Sequence, residues 1–406
     1  MTSVTEPQPP RESFRLSMLL NDKRYRFYTF QFVALFLLIV FMAYLGWNLV
    51  RNLALLGQDI SFGFLGAPAG YDINQRLIPY ENSDPHLRAS FVGVLNTLLV
   101  AFLGCITATI FGVLAGVLRL SKNWLVAKLM AVYVEIFRNV PVLIWILIIF
   151  FVMTAALPPP SAFRGDDPAS SMLFDAFAFT NRGVYVPKPL WGAGSGVVVA
   201  VFLASIAGAI YYRRYATKLL YATGRLLPMV WPTLAILILP TLAAYALLGG
   251  PITLEYPQLR GFNFQDGIQV RGSLIALWFA LAIYTGAFIA ENVRAGILSV
   301  SHGQTEAAAA LGLRPRRVMS LVILPQALRV VIPPVISQYL NLTKNSSLAI
   351  AVGYMDVTGT LGGITLNQTG RAIESVLLLM LFYLIISLSI SAVMNLYNNA
   401  VKLKER

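Results

Sequence analysis

Residues able to do chemistry are scarce in this chain, and they gather in three places. Glu135 and Arg138 stand three apart, so on a helix they share a face and can pair. Asn341, Lys344, Asn345, Ser346 and Ser347 crowd into an otherwise apolar stretch, where side-chain amides and hydroxyls could hydrogen-bond a zwitterion. The third place is Glu306–Pro325, EAAAALGLRPRRVMSLVILP, which sets an acid, a run of alanines and Arg314, Arg316 and Arg317 between two long apolar segments. No part of this resembles a catalytic set. The chain has no Gly-x-x-x-x-Gly-Lys-[Ser/Thr] loop to seat a nucleotide and no legible Ser-His-Asp or Cys-His constellation, so no enzyme activity of its own is expected. The one cysteine, Cys105, lies in an apolar run, and His86 and His302 are far apart without ligand spacing, so neither a disulfide nor a metal site is expected.

The elements that must position these residues are membrane spans. Of 406 residues, 57% are hydrophobic and only 12% charged, with a mean hydropathy of +0.69. A soluble chain carries about 25% charged residues. Continuous apolar runs, rather than short alternating segments, indicate an all-α polytopic bundle and not a barrel. Eight spans are expected near residues 30–50, 90–118, 125–156, 191–212, 228–249, 273–293, 330–352 and 374–397. The run at 30–50 lacks a well-placed small-residue cleavage site and is expected to stay as an anchor. The net charge of +13 is explained by membrane-flanking loops, so nucleic-acid binding is not expected. Residues 1–29, 119–128, 213–225, 314–329 and 402–406 hold 19 Lys and Arg, against nine in 51–89, 157–190, 250–272 and 353–373. The first set should face the cytoplasm, with both termini and the Glu306–Pro325 loop on that side. No extramembrane loop exceeds about 40 residues, too few for a core of its own without staples.

The loop has the grammar of two short helices. Ser301 or Gly303 can cap the first, and Gln304–Leu311 is made of good helix formers with Glu306 in the first turn, at the positive end of the dipole. Gly312 is placed to stop it in a left-handed conformation, Pro315 to open the second helix and Pro325 to end it. The alternative is a plain connector between spans.

Lys344 lies 14 residues past Val330, roughly 21 Å into the seventh span, where a lysine costs about 2.5–3.5 kcal/mol on insertion scales. Such a residue usually faces a cavity or a partner helix. Pro333 and Pro334 can bend that span and free backbone carbonyls. The polar run therefore reads as part of a translocation path, or else as glue between helices. Glu135 and Arg138 lie at mid-bilayer if the third span begins near 125, and at the periphery if it begins near 137. They read equally as a gate pair or a structural clamp. Glu291 and Arg294 end the sixth span and read as braces for the loop that follows.

With these motifs in view, the chain resembles the permeases of ABC importers. Glu-Ala-Ala at 306–308, Gly312 and Val322-Ile323-Leu324-Pro325 match the spacing of their signature loop. Asn96-Thr97-Leu98, Glu135-Ile136-Phe137-Arg138-Asn139-Val140-Pro141 and Lys344-Asn345-Ser346-Ser347-Leu348 resemble the polar amino-acid uptake subfamily. The commoner text there has Gly-Thr for Asn139-Val140 and Asp-Thr for Asn345-Ser346. The resemblance covers about 90–156 and 273–400. The enlarged layout, with Asn-Arg-Gly at 181–183, resembles the Q-type subunit of general L-amino-acid systems that serve glutamate, glutamine, aspartate and asparagine.

The resemblance implies a type I importer core made of 90–156 and 273–400, with a cytoplasmic coupling loop at 299–329. To this are added a cytoplasmic tail at 1–29, an extra span and periplasmic loop at 30–89, and a 157–272 insertion with two more spans. It implies a multi-pass inner-membrane permease subunit moving polar or acidic L-amino acids. Its partners would be a homologous sister permease, an ATPase dimer that holds ATP and Mg, a periplasmic binding protein and the bilayer. Glu306, Ala307, Ala308, Gly312, Arg314, Arg316 and Arg317 would meet the ATPase. Glu135, Arg138, Asn341, Lys344, Asn345, Ser346 and Ser347 would line the substrate path. The rivals are an ion-gradient-driven transporter or channel, which would show more intramembrane acids, and a polytopic enzyme, which would need a clustered acid, base or metal set.

Overall fold

The computed structural model describes residues 18–55, 57, 59–165, 168–225 and 227–401. The expected N-terminal tail falls largely outside the described residues, as do Arg11, Arg15, Lys402, Lys404 and Arg406. The chain divides into two compact units, Met1–Phe64 and Leu65–Arg406.

The first unit holds α1 (Met18–Asn21) and α2 (Lys23–Leu55). At 33 residues α2 is about 50 Å long, more than the roughly 30 Å of bilayer hydrocarbon. Its Phe, Leu and Ile side chains are exposed all round, as suits a helix solvated by lipid.

In the second unit, α3 (His86–Leu118) is followed by α4 (Trp124–Asn139) and α5 (Val142–Ala156). The expected single span at 125–156 is therefore two helices, and they meet at a bend of 106°. Pro141 causes it: a proline pushes the preceding residue out of helical geometry, and Val140 is extended at φ −103° and ψ 132°. Asn123 caps α4, its side chain accepting from the amides of Leu125 and Val126.

Strands β1 (Ala178–Thr180), β2 (Gly183–Val186) and β3 (Lys188–Trp191) follow, then α6 (Ser195–Thr223), α7 (Val230–Leu247), β4 (Ile252–Glu255), β5 (Gln258–Arg260), β6 (Asn263–Gln265) and β7 (Ile268–Arg271). Helix α8 (Gly272–Leu298) leads to α9 (His302–Ala310) and α10 (Pro315–Val318). A wide π-type turn at Met319–Ile323 passes into α11 (Leu324–Asn345), which tightens into a 3-10 stretch at Ser346–Val352. After a second π segment at Thr358–Thr365 come α12 (Leu366–Thr369) and α13 (Ala372–Val401).

Seven of the described helices are long and apolar enough to cross a membrane, or eight spans if the bent α4–α5 pair counts as one. Helix α8 lies at the centre, packed on α3, α5, α4 and α11. The α3–α8 contact is close because α3 presents glycines. A Cβ on Gly116 would sit 2.6 Å from the Ala290 carbonyl oxygen, and one on Gly112 would sit 2.5 Å from the Ile289 Cβ. Small residues at such spacing let two backbones approach in lipid, where packing has to replace the hydrophobic drive. The α6–α7 hairpin packs chiefly on itself, and β3 pairs antiparallel with β4 where the chain enters and leaves it.

Two expectations are corrected here. Pro325 does not end a second short helix. The chain is helical from Pro315 to Val352, and Pro325 sits in the first turn of α11. The π turn before it shifts the hydrogen-bond spacing, so the missing amide breaks nothing. The loops at 157–190 and 250–272 also do more than connect. β2 pairs with both β1 and β7, and Ala178, Tyr185 and Phe264 form a small apolar core with Phe163, Met172 and Leu259. Neither loop could bury that cluster alone. The two loops join across the intervening α6–α7 hairpin.

Candidate functional site

The polar run of α11 is split by the helix surface it lies on. Ser346 is fully buried and its hydroxyl donates to the Thr343 carbonyl at 2.8 Å, so it does not line a path. Leu342 and Thr343 are buried on the same inner side. Asn341 and Lys344 are exposed on the other side, with Asn345 and Ser347 half-buried. The residues of that face, 341, 344 and 345, are related by steps of three and four. Among the described residues Lys344 makes no ion pair.

The expected Glu135–Arg138 pair does not form. Arg138 places its guanidinium over the Phe288 ring of α8, 5.2 Å from the centroid, and Glu135 instead accepts from the Asn139 side chain at 3.3 Å. Both residues are exposed near the end of α4, just ahead of the Pro141 bend. The two residues thus belong to a separate helix that precedes α5 and not to the middle of a straight span. Glu291 bonds Arg294 at 2.6 Å and also pairs with Arg119 at the end of α3. It therefore ties α8 to α3 and does not brace the following loop.

The loop between α8 and α11 is a tight elbow. Ser301 precedes α9 without a side-chain cap bond. His302 and Glu306 pair at 3.0 Å one turn apart. At the other end Gly312 has φ +74°, its amide donates to the Ala309 carbonyl at 2.9 Å, and the Leu313 amide donates to the Ala308 carbonyl at 3.2 Å. This pair of bonds around a left-handed residue is a Schellman stop, and glycine adopts the conformation without a Cβ clash. Pro315 then opens α10 at its first position. Glu306, Ala307, Arg314, Arg316 and Arg317 are exposed. Ala308 is not: it is 5% exposed and packs inward, so the outer surface of the elbow excludes it. Leu311, which sequence reasoning passed over, is 82% exposed beside Gly312. Its signal was available, since a leucine directly before a glycine stop has no helix left to pack on.

Sequence reasoning also missed a buried polar knot at the other end of α8, the end that carries the sheets. The Asn96 amide donates to the Gln75 carbonyl at 2.7 Å and to the Met355 carbonyl at 2.8 Å. Thr97 accepts from the Val357 amide at 3.1 Å, and the Tyr354 hydroxyl donates to the Asn96 carbonyl at 3.2 Å. Asp356 is fully buried and accepts from the Gly359 amide at 2.8 Å, like a helix cap. Burial pushes its carboxyl up to about 7. The knot fastens α3 to the segment that follows α11.

Helices long and apolar enough to cross a membrane, one of them polar on one face, and a tight elbow between two of them are the architecture of a multi-pass membrane protein. The profile of "binding-protein-dependent transport system inner membrane component" matches residues 196–403, and the chain belongs to that family. It is 53% identical to the glutamate/glutamine/aspartate/asparagine transport system permease protein BztB of Rhodobacter capsulatus, over 98% of this chain and 99% of that one. It is 43% identical to the general L-amino acid transport system permease protein AapQ of Rhizobium johnstonii, over 97% and 96%. It is 42% identical to the putative amino-acid ABC transporter permease protein YhdX of Escherichia coli, over 98% and 99%.

Proposed function

We propose that this chain is the membrane-spanning permease subunit of an ATP-driven importer for polar and acidic L-amino acids in the bacterial inner membrane. The observation that carries this reading is end-to-end similarity, at 53% identity, to a permease named for glutamate, glutamine, aspartate and asparagine. A separate ATPase dimer burns the fuel and holds ATP and Mg. A sister permease completes the path, and a periplasmic binding protein delivers the substrate. Both termini and the elbow face the cytoplasm, in keeping with the loop charges. Residues 90–156 and 273–400 form the importer core, around which 30–89 and 157–272 are additions.

The elbow is the handle. Glu306, Ala307, Leu311, Gly312, Arg314, Arg316 and Arg317 offer a small-residue face, an apolar knob and three cations to a partner. Closure of the ATPase dimer on ATP moves α9, and α9 moves α8 and α11, to which it is joined through short connections. Lys344, with Asn341 and Asn345 on its face, supplies the path. An unpaired ammonium in low dielectric attracts the carboxylate common to all amino acids, and most strongly those with two.

The test is a pair of single-cysteine probes at Ala307 and Leu311 in the assembled complex. Cross-linking to the ATPase, with protection from an impermeant maleimide added outside intact cells, is the expected result. Labelling from outside, or no cross-link to any second subunit, overturns the reading. Uptake in vesicles that persists without ATP under a proton gradient would favour a secondary transporter instead.

A further inference from the structure

The α6–α7 hairpin carries a basic recess that the transport reading does not use. Arg213, Arg214, Thr217 and Lys218, with Ile210, line a concave surface on the last turns of α6. Arg213 and Thr217 are four apart, as are Arg214 and Lys218, so both pairs stack along adjoining strips of one helix side. Thr217 keeps its hydroxyl on the Arg213 carbonyl at 2.9 Å. Like charges four apart repel, and nothing nearby in sequence offsets them: residues 176–254 contain no Asp or Glu. Among the described residues none of the three cations forms an ion pair. The recess thus gathers three cationic side chains that have no ion-pair partner among the described residues.

Its depth says which acceptor it meets. Arg213 lies 18 residues beyond Ser195, about 27 Å along the helix, and bilayer hydrocarbon is about 30 Å thick. The cations therefore stand at the boundary where phosphates lie, with Lys218 just past it. The surrounding aromatics agree with that level. Tyr211 and Tyr215 are exposed beside the recess, Trp231 is exposed at the start of α7, and the Tyr212 hydroxyl holds the turn by donating to the Pro228 carbonyl at 2.8 Å. Tyr and Trp concentrate at membrane–water interfaces.

We infer that Arg213, Arg214 and Lys218 form a binding site for the phosphate headgroup of an anionic phospholipid. Arginine forks suit phosphate oxygens, and Thr217 borders the pocket with a further polar atom. The bound lipid anchors a hairpin that packs chiefly on itself. The site is independent of the transport role and of which membrane face it occupies.

The test is native mass spectrometry of the full chain with phosphatidylglycerol and phosphatidylcholine of identical acyl chains, and with inorganic phosphate. Phosphatidylglycerol should be retained in preference to phosphatidylcholine, and millimolar phosphate should not displace it. Each charge removed by Arg213→Gln, Arg214→Gln or Lys218→Gln should lower its retention roughly fivefold, and the triple variant about a hundredfold. The single variants carry the test if the triple variant fails to insert. Arg225→Gln, outside the recess, should change retention less than twofold. Equal retention of the two lipids, or unchanged retention in the Gln variants, overturns the proposal. So does an Arg225→Gln loss as large as theirs, which would mean diffuse charge attraction. Displacement by inorganic phosphate would make this a free-anion site and also overturn it.

Discussion

Gly312 is the most exacting test of the elbow as a mechanical handle. Helix α9 has nine residues, a length at which an isolated helix is marginal in water, so its stop signal carries an unusual share of its stability. Proline at 312 removes the amide that bonds Ala309, and its ring holds φ near −65° where the chain requires +74°. The Leu313–Ala308 bond cannot survive that redirection. Two hydrogen bonds at about 0.5–1.5 kcal/mol each, plus roughly 1–2 kcal/mol for the backbone conformation, come to a local loss of about 3 kcal/mol. That lowers the population of the formed elbow by roughly a hundredfold. Alanine keeps both amides and pays only the conformational cost, and asparagine, which tolerates left-handed geometry, pays less. Uptake per ATP hydrolysed should therefore fall in the order Gly, Asn, Ala, Pro when the complex is reconstituted in liposomes, while membrane insertion is unchanged. Gly312→Pro with uptake within twofold of the parent would refute the elbow as the coupling element, because the geometry leaves no route by which a proline can preserve this stop.

Two further outcomes are expected. Gly116→Val should lower the thermal midpoint in detergent by several degrees, because its Cβ would meet the Ala290 carbonyl at 2.6 Å and overpacking costs about 1–3 kcal/mol. Gly46→Val on α2, where a Cβ meets nothing within 4 Å, should leave it unchanged, and equal shifts would contradict the close α3–α8 contact. Asp356 gives a pH signature: its folded carboxyl titrates at about 7 against an ordinary 3.8. The folded state therefore holds the proton more tightly, and stability is full below pH 4 and declines as pH rises to about 7. Asp356→Asn mimics the protonated acid, so the thermal midpoint of the parent should fall between about pH 4 and 7 while that of the variant stays level. Parallel midpoint profiles would show that Asp356 is ionised in the folded protein.

Much of the molecule is legible in its sequence because lipid imposes simple rules. A span must be long, apolar and helical, so the seven long helices could be expected from composition, whereas the break at Pro141 that splits 125–156 was not. The stop at Gly312 and the start at Pro315 follow from single-residue backbone preferences. Side-chain partnerships were less legible. Glu135 and Arg138 have the spacing of a pair, yet Arg138 turns to Phe288, a residue 150 positions away. Ser346 has the composition of a path residue, yet helix phase turns it inward. Pro325 has the appearance of a terminator, yet a π turn absorbs it. The small sheet core was invisible because its strands have three or four residues and come from segments more than 70 residues apart.

What the sequence alone determined is the membrane class, the long apolar helices and the elbow's punctuation, since each depends on residues near one another in the chain. Only the tertiary structure decided which polar groups are exposed, which lie in the core and which reach across helices. Those choices depend on how close α3 can come to α8 and on the 106° turn between α4 and α5, distances and angles that are set between segments remote in sequence.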